Sequence, residues 1–419
     1  MKVLWFTNTP SMSASQYEQK VIGGGWIASL ENALESYPEI QLGISYVVIN
    51  NTKKPFSINN TVYYPVNKSK TPNRISRILE GWDHKSPLRS DMKPYMDVIN
   101  DFQPDVIHIF GSESEFGLIA GMTDIPCIVY IQGVLTVITQ KWFNGLTPLD
   151  VVKYSPKLPL IKGRGLFHDY YKMIRSARRE QTILRKGKFF IGRTDWDRRI
   201  ITVLSPGSKY FHCDEIMRPL FYQKEWSHRS HVTQIRIIST TRNTIYKGLE
   251  TILECASYLR SLFPDKEILW EVAGVKSSDE VPLLLEKKLK RKFKESGIIL
   301  LGPLNEVELV SEMLEADLFV HPSHTDNSPN SVCEAMLLGM PVISTFAGGI
   351  PAIVTDKEDG LLVQDGDPIA LAGAIYELNN NPEFAISLSQ RARAKAMMRH
   401  DPARVTQTLV GIYSEVLNN

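Results

Sequence analysis

The residues best placed to do chemistry lie in one stretch, His321-Pro322-Ser323-His324-Thr325-Asp326-Asn327-Ser328-Pro329-Asn330-Ser331-Val332-Cys333-Glu334-Ala335-Met336. An apolar run ends at His321, a polar loop follows, and Asn330 or Ser331 can cap a helix continuing through Glu334 and Leu338 to Gly339. A loop that opens onto a helix N-terminus presents free backbone N–H groups and the positive end of the helix dipole to an anion such as phosphate. Glu334, about one turn inside, is acceptor-only when ionised and suits a pair of ribose hydroxyls. Taken alone, the stretch is equally an ordinary loop with a solvated glutamate.

A second cluster follows the apolar run Ile235 to Thr240. Its loop carries Arg242 and Lys247, and Leu249, Ile252 and Leu253 then begin a helix. Two cations five residues apart can face a diphosphate, or can simply be solvated. Gly23-Gly24-Gly25-Trp26 lies between the first apolar run and the helical pattern Ile27 to Leu34. Glycines there permit close backbone approach to a ligand, and a plain flexible turn reads the same way. Gln132 ends the run Cys127 to Ile131. His108 alternates within another run and reads as a core histidine. Thr194-Asp195-Trp196-Asp197 contains an Asp-x-Asp triplet, which a chain of this length holds about once by chance. Thr194 or Asp195 reads there as the cap of a helix bearing Arg198, Ile200 and Val203, and no metal site is expected.

The elements that must position these groups follow from the pattern. The 419 residues exceed what one hydrophobic core holds, so two domains are expected. A composition of 43% hydrophobic and 22% charged residues with a net charge of +2 disfavours disorder and gives no global field for nucleic acid. Short apolar runs alternate with helix-period segments, the pattern of βα units in parallel sheets, so the class is α/β. Strands are expected at 3–6, 45–49, 106–110, 127–131 and 189–192, then at 235–240, 269–273, 298–301, 318–321, 342–344 and 361–363. Domain one is placed at 1–220 and domain two at 221–402, with a C-terminal amphipathic helix at 403–419 that can pack back on the first. Carboxyl edges of two such sheets facing a cleft would make the cleft the expected site. Four separated cysteines form no CxxC pair, which fits a reducing cytoplasm. The N-terminal apolar run reads as a strand rather than a signal peptide, and no run reaches the ~20 residues of a membrane span.

The acid at Asp326, seven intervening residues and Glu334 begin a longer series. It continues through Gly339-Met340-Pro341-Val342-Ile343 and Ala347-Gly348-Gly349-Ile350-Pro351 to Asp359-Gly360-Leu361-Leu362-Val363. This series resembles the EX7E region of retaining glycosyltransferases of family 4, whose GT-B fold has two Rossmann-like doubly wound domains facing a cleft. Weaker resemblance covers the rest of the second half and patches of the first. Two positions depart from the family: Asp326 stands where Glu is usual and Asn327 where Gly is usual. The resemblance implies that Asp326 and its neighbours Asn327, Ser328, Asn330 and Ser331 hold the donor sugar, and that Glu334 holds the nucleotide ribose. It implies that Arg242 and Lys247 neutralise the donor diphosphate as it leaves, that Gly24 and Gly25 face the donor phosphates, and that Gln132 replaces a sugar-contacting His. The expected activity is transfer of a sugar, a hexose by preference, from a nucleotide diphosphate sugar to a hydroxyl acceptor, with retention and without metal or cofactor. A lipid-linked saccharide in capsule, O-antigen or exopolysaccharide synthesis is the expected acceptor setting. A nucleotide-sugar epimerase of the same architecture and a non-catalytic sugar-binding protein stay open as alternatives.

Lys153 to Arg199 holds fourteen Lys or Arg against four acids, a net +10. Phe167, Tyr171, Ile174, Ala177 and Leu184 recur at helical spacing, so a basic amphipathic helix is expected here. Its Lys172, Arg175, Arg178 and Arg179 are candidates to rest on an anionic membrane from the cytoplasmic side, and a solvated helix face is the alternative.

Overall fold

A computed structural model of the chain describes residues 1–16, 25–49, 54–68, 73–88, 90–229 and 233–418. It divides into two compact units, the first comprising Met1–Thr139, Tyr171–Met217 and His400–Asn419, the second Gln140–Tyr170 and Arg218–Arg399. Residues 140–170 therefore group with the second unit, although they lie inside the stretch the sequence assigns to the first.

The first unit is built on an eight-stranded sheet: β1 (Lys2–Thr7), β2 (Gln41–Ile49), β3 (Phe56–Ile58), β4 (Thr61–Lys68), β5 (Val106–Phe110), β6 (Cys127–Tyr130), β7 (Phe189–Gly192) and β8 (Lys209–His212). Their order is β3-β4-β2-β1-β5-β6-β7-β8, all neighbours parallel except the β3/β4 hairpin. Because side chains alternate along a strand, β1 feeds both faces of the sheet. Val3 and Trp5 pack with Trp26, Ile27 and Leu30 and with Val405, Leu409, Ile412, Tyr413 and Val416 of the C-terminal helix Pro402–Leu417. Leu4 and Phe6 pack on the other face with Tyr95, Ile99 and Phe102 of the helix Lys93–Phe102, and with Ile183 and Leu184. The Tyr413 hydroxyl accepts from Trp5 Nε1 at 3.0 Å and bonds His108 Nδ1 at 2.6 Å. His108 is a fully buried core residue, and burial pulls its pKa down to about 3, so it stays neutral.

The second unit has six parallel strands: β9 (Gln234–Thr240), β10 (Glu267–Ala273), β11 (Ile298–Gly302), β12 (Leu318–His321), β13 (Val342–Thr345) and β14 (Leu361–Val363), ordered β11-β10-β9-β12-β13-β14. Strand order reverses direction between β1 and β5 in the first sheet and between β9 and β12 in the second. Open parallel sheets bind ligands outside the carboxyl ends of strands at such a reversal. Among the described residues no helix is long and apolar enough to cross a membrane. All four cysteines are buried and none is in a disulfide.

Candidate functional site

The loops after β9 and β12 share the reversal point of the second sheet, and they carry the two clusters singled out in the sequence. Close packing locks them together. The loop after β9 ends in a short turn, Ile245–Lys247, and Gly248 at φ 73°. A Cβ at Gly248 would lie 2.0 Å from the Pro322 carbonyl oxygen, so glycine is what lets the turn approach the loop after β12. The Tyr246 carbonyl then accepts from His324 N at 2.9 Å and from Ser323 Oγ at 3.2 Å. From the other side Gly349 N donates to the Asp326 carbonyl at 2.8 Å. Gly348, at φ 57°, sits where a Cβ would meet that same oxygen at 1.9 Å.

This packing brings Lys247 Nζ within 2.5 Å of Asp326 Oδ2, which His321 Nε2 also meets at 3.2 Å. Asn327 N donates to the other carboxylate oxygen at 3.1 Å. Burial pushes the Asp326 pKa up, but the Lys247 ammonium and the His321 hydrogen bond outweigh it and hold the carboxyl well below its ordinary range. His321 is pulled below its ordinary value by burial, with Asp326 opposing. A neutral ring with its proton on Nε2 satisfies Asp326 and leaves Nδ1, which has no partner among the described residues, as an acceptor. Asp326 thus pins Lys247 rather than standing alone toward a sugar, and His321, which carried no role in the sequence motif, completes the cluster.

The helix Asn330–Leu338 begins one residue earlier than a cap at Asn330 would require, and two earlier than a cap at Ser331. Pro329 occupies the cap position, and no side chain caps the end. Asn330 and Ser331 lie half-buried in the first turn, while Asn327 and Ser328 are buried. Within the helix Glu334 is buried and held by a fork: Arg218 Nε donates to Oε1 and Nη2 to Oε2, both at 2.8 Å. Burial raises the Glu334 pKa against the pull of Arg218. The Arg218 guanidinium lies 4.6 Å from the Phe221 ring centroid, and its own pKa is raised because Glu334 outweighs the lowering effect of burial. A carboxylate has about four lone-pair positions, so the fork leaves Glu334 with acceptor capacity for hydroxyl donors. Arg218 lies two residues before the domain boundary expected at 220, and no motif in the sequence marks it.

The remaining expectations fall unevenly. Arg242 is exposed, and among the described residues its guanidinium makes no hydrogen bond or ion pair, so it does not join Lys247 at Asp326. Gly25 opens the helix Gly25–Leu34 and Gln132 sits half-buried just past β6, both in the first unit; Gly24 lies outside the described residues. The Asp-x-Asp triplet is consumed by its own helix. Thr194 Oγ1 accepts from Asp197 N at 3.2 Å, and buried Asp197 accepts from Arg193 N and from the Tyr210 hydroxyl. Among the described residues no group of three or more His, Cys, Asp or Glu could hold a metal ion.

The basic helix, Leu166–Lys186, requires a correction: it does not present four cations outward. Arg175 is buried, its Nε donating to the Ser86 carbonyl at 2.6 Å, and Arg179 donates to the Glu113 carbonyl at 2.6 Å. Only Lys172 and Arg178 of the four are exposed. Ser86 and Glu113 are distant in sequence, so helical periodicity alone leaves these arginines on the outer face.

The first unit adds one group the sequence reading passed over. Glu113 follows β5 at the reversal point of its sheet, with Oε1 accepting from Asn8 Nδ2 at 3.0 Å and Oε2 buried without a hydrogen-bond partner among the described residues. Burial, reinforced by the nearby Glu180 carboxylate, pushes its pKa up to about 7, against smaller lowering effects of Asn8 and Arg193.

Residues 223–395 match the family model described as Glycosyl transferases group 1. A D-inositol 3-phosphate glycosyltransferase of Corynebacterium urealyticum is 30% identical over 169 residues, covering 40% of this chain and 40% of that protein. The amylovoran biosynthesis glycosyltransferase of Erwinia amylovora is 29% identical over 171 residues, covering 38% of this chain and 40% of its own. The chain thus spans about two fifths of the length of these curated relatives. Among solved structures, the Anabaena protein HepE in complex with UDP and glucose superposes with a TM-score of 0.65 at 13% identity, covering 99% of both chains. The fold is GT-B, with two Rossmann-like α/β units, and the sequence matches support a glycosyltransferase enzyme.

Proposed function

We propose that the chain is a retaining glycosyltransferase of family 4 that moves a sugar from a nucleotide diphosphate sugar to a hydroxyl acceptor. The observation that carries this reading is the pair of side-chain clusters along the loop and helix that follow β12 in the second unit: Lys247 pinned by Asp326 and His321, and Glu334 held by Arg218. The two clusters match the two needs of such a donor. A fixed ammonium beside backbone N–H groups suits a diphosphate, and a buried carboxylate with spare acceptor positions suits ribose hydroxyls. Arg242, exposed on the same loop as Lys247, supplies a second cation to the diphosphate. The loop residues Asn327, Ser328, Asn330 and Ser331 line the donor side of the second unit.

In this mechanism the bond from the sugar C1 to the diphosphate oxygen breaks, and the acceptor oxygen bonds C1 on the same face. The acceptor's hydroxyl proton passes to the departing diphosphate oxygen. Catalysis then rests on positioning and on charges fixed before the reaction, which is what pinning Lys247 achieves. The diphosphate's charge is met by Lys247 and Arg242 without a metal. A lipid-linked saccharide at the cytoplasmic membrane face is the acceptor class, in line with the polysaccharide-synthesis relative. Incubating the protein with labelled UDP-sugars, with and without saccharide acceptors, tests this. Transfer to an acceptor, or slow hydrolysis without one, is the expected result; conversion of the donor sugar to its epimer, or binding with no turnover, supports the alternatives instead.

A further inference from the structure

The chain between β6 and β7 contains two short helices, Pro148–Tyr154 and Lys157–Ile161. Their inner side is firmly anchored. Thr147 and Asp150 form a reciprocal cap, Val151 is fully buried, and Lys288 bonds Asp150 at 3.0 Å and the Gly145 carbonyl at 3.2 Å. Their outer side is unusually apolar for solvent: Leu149 is 79% exposed, Leu158 62%, Ile161 67% and Val152 38%. Charge on the same segment has one sign. Residues 141–164 carry Lys141, Lys153, Lys157, Lys162 and Arg164 against a single acid, Asp150, which Lys288 already neutralises. Lys157 bonds the carbonyls of Val152 and Lys153, and Lys141, Lys153 and Arg164 are exposed on the same segment.

We propose that this helix pair is a docking surface for an anionic phospholipid bilayer. Exposed aliphatic side chains inserted about 5–10 Å into the headgroup boundary, flanked by cations at headgroup level, match the chemistry of such a surface. Protein interfaces, by contrast, are depleted of lysine. The surface replaces the face that periodicity assigned to Lys172, Arg175, Arg178 and Arg179, since two of those cations are engaged by backbone carbonyls. It deepens the lipid-linked-acceptor reading while standing apart from the donor chemistry, so nucleotide binding survives its failure.

The full chain is floated with vesicles of phosphatidylcholine, with and without one third phosphatidylglycerol, at low and high salt. Binding to the anionic vesicles is expected, weakening at high salt as the Debye length shrinks to about 3 Å. Leu158→Ser/Ile161→Ser, and separately Lys153→Gln/Lys162→Gln, should each weaken it roughly ten-fold or more. Both side-chain pairs lie outside the core, so an unchanged thermal midpoint and an unchanged circular dichroism spectrum verify folding. The proposal is overturned by absence of binding at low salt, by equal binding to both vesicle types, or by full binding of both variants. It is also overturned if binding is lost only when exposed Ile75 and Leu79, on the helix Arg74–Trp82, become Ser, or if these variants instead abolish self-association.

Discussion

Replacing Arg218 by Ala would strand a buried carboxylate. Glu334 is 5% exposed, and both its oxygens take a charged hydrogen bond from the same guanidinium, so removing Arg218 leaves a charge with neither water nor partner. Breaking a buried pair in this way costs about 3–5 kcal/mol, more than the pair's net contribution to stability. Loss of the fork also raises the Glu334 pKa beyond its already raised value. A carboxyl whose folded pKa lies above its unfolded value contributes stability that is complete below the unfolded value and lost as pH rises through the folded one. The deficit of Arg218→Ala relative to the wild type should therefore be small near pH 4.5 and grow toward pH 8. Arg218→Lys should recover only part of it, since an ammonium cannot match both oxygens at once. Arg218→Ala/Glu334→Gln should be less destabilised than Arg218→Ala alone, because no buried charge remains. Urea unfolding across that pH range, followed by the fluorescence of the second unit's tryptophans, gives the measurement. A loss under about 1 kcal/mol that is flat with pH, or a double variant worse than the single one, would refute the reasoning.

Further outcomes follow from the same geometry. Lys247→Ala should lower turnover by about 10²-fold or more with the fold intact, as expected for loss of one preorganised charge, and near wild-type turnover would remove Lys247 from the mechanism. Glu113, raised from 4.5 to about 7, opposes folding increasingly as pH rises through that window. Glu113→Gln should thus be more stable than the wild type at pH 8, by up to about 3 kcal/mol, with the gain fading toward pH 5 in thermal melts. Tyr413→Phe removes the shared partner of Trp5 and His108 and should cost about 1–3 kcal/mol in urea unfolding.

Much of the scaffold was legible because buried parallel strands are short apolar runs, as at Val106–Phe110 and Leu318–His321. Strand β4 was not, since Pro65 argues against a strand. The structure accommodates it because β3 pairs only with Thr61, Val62 and Tyr63, leaving β4 an edge on that side at Pro65. Strand β8 is four residues, two exposed and two half-buried, with no apolar run to find. Within the site, Asp326, Lys247 and Glu334 were visible through motif spacing. Arg218 was not, because it meets Glu334 across 116 residues of sequence with no local pattern. The same long-range blindness turned Arg175 and Arg179 outward in the sequence reading, when carbonyls from remote loops hold them in.

The most direct test of glycosyl transfer is to follow the anomeric proton signals of UDP-, GDP- and ADP-sugars by NMR as the protein acts, alongside Lys247→Ala and Glu334→Gln. One donor should be consumed with release of its nucleoside diphosphate and retention at C1 of the product, and both variants should be strongly impaired. Consumption of no donor, accumulation of an epimer of the intact nucleotide sugar, or an inverted product would contradict it.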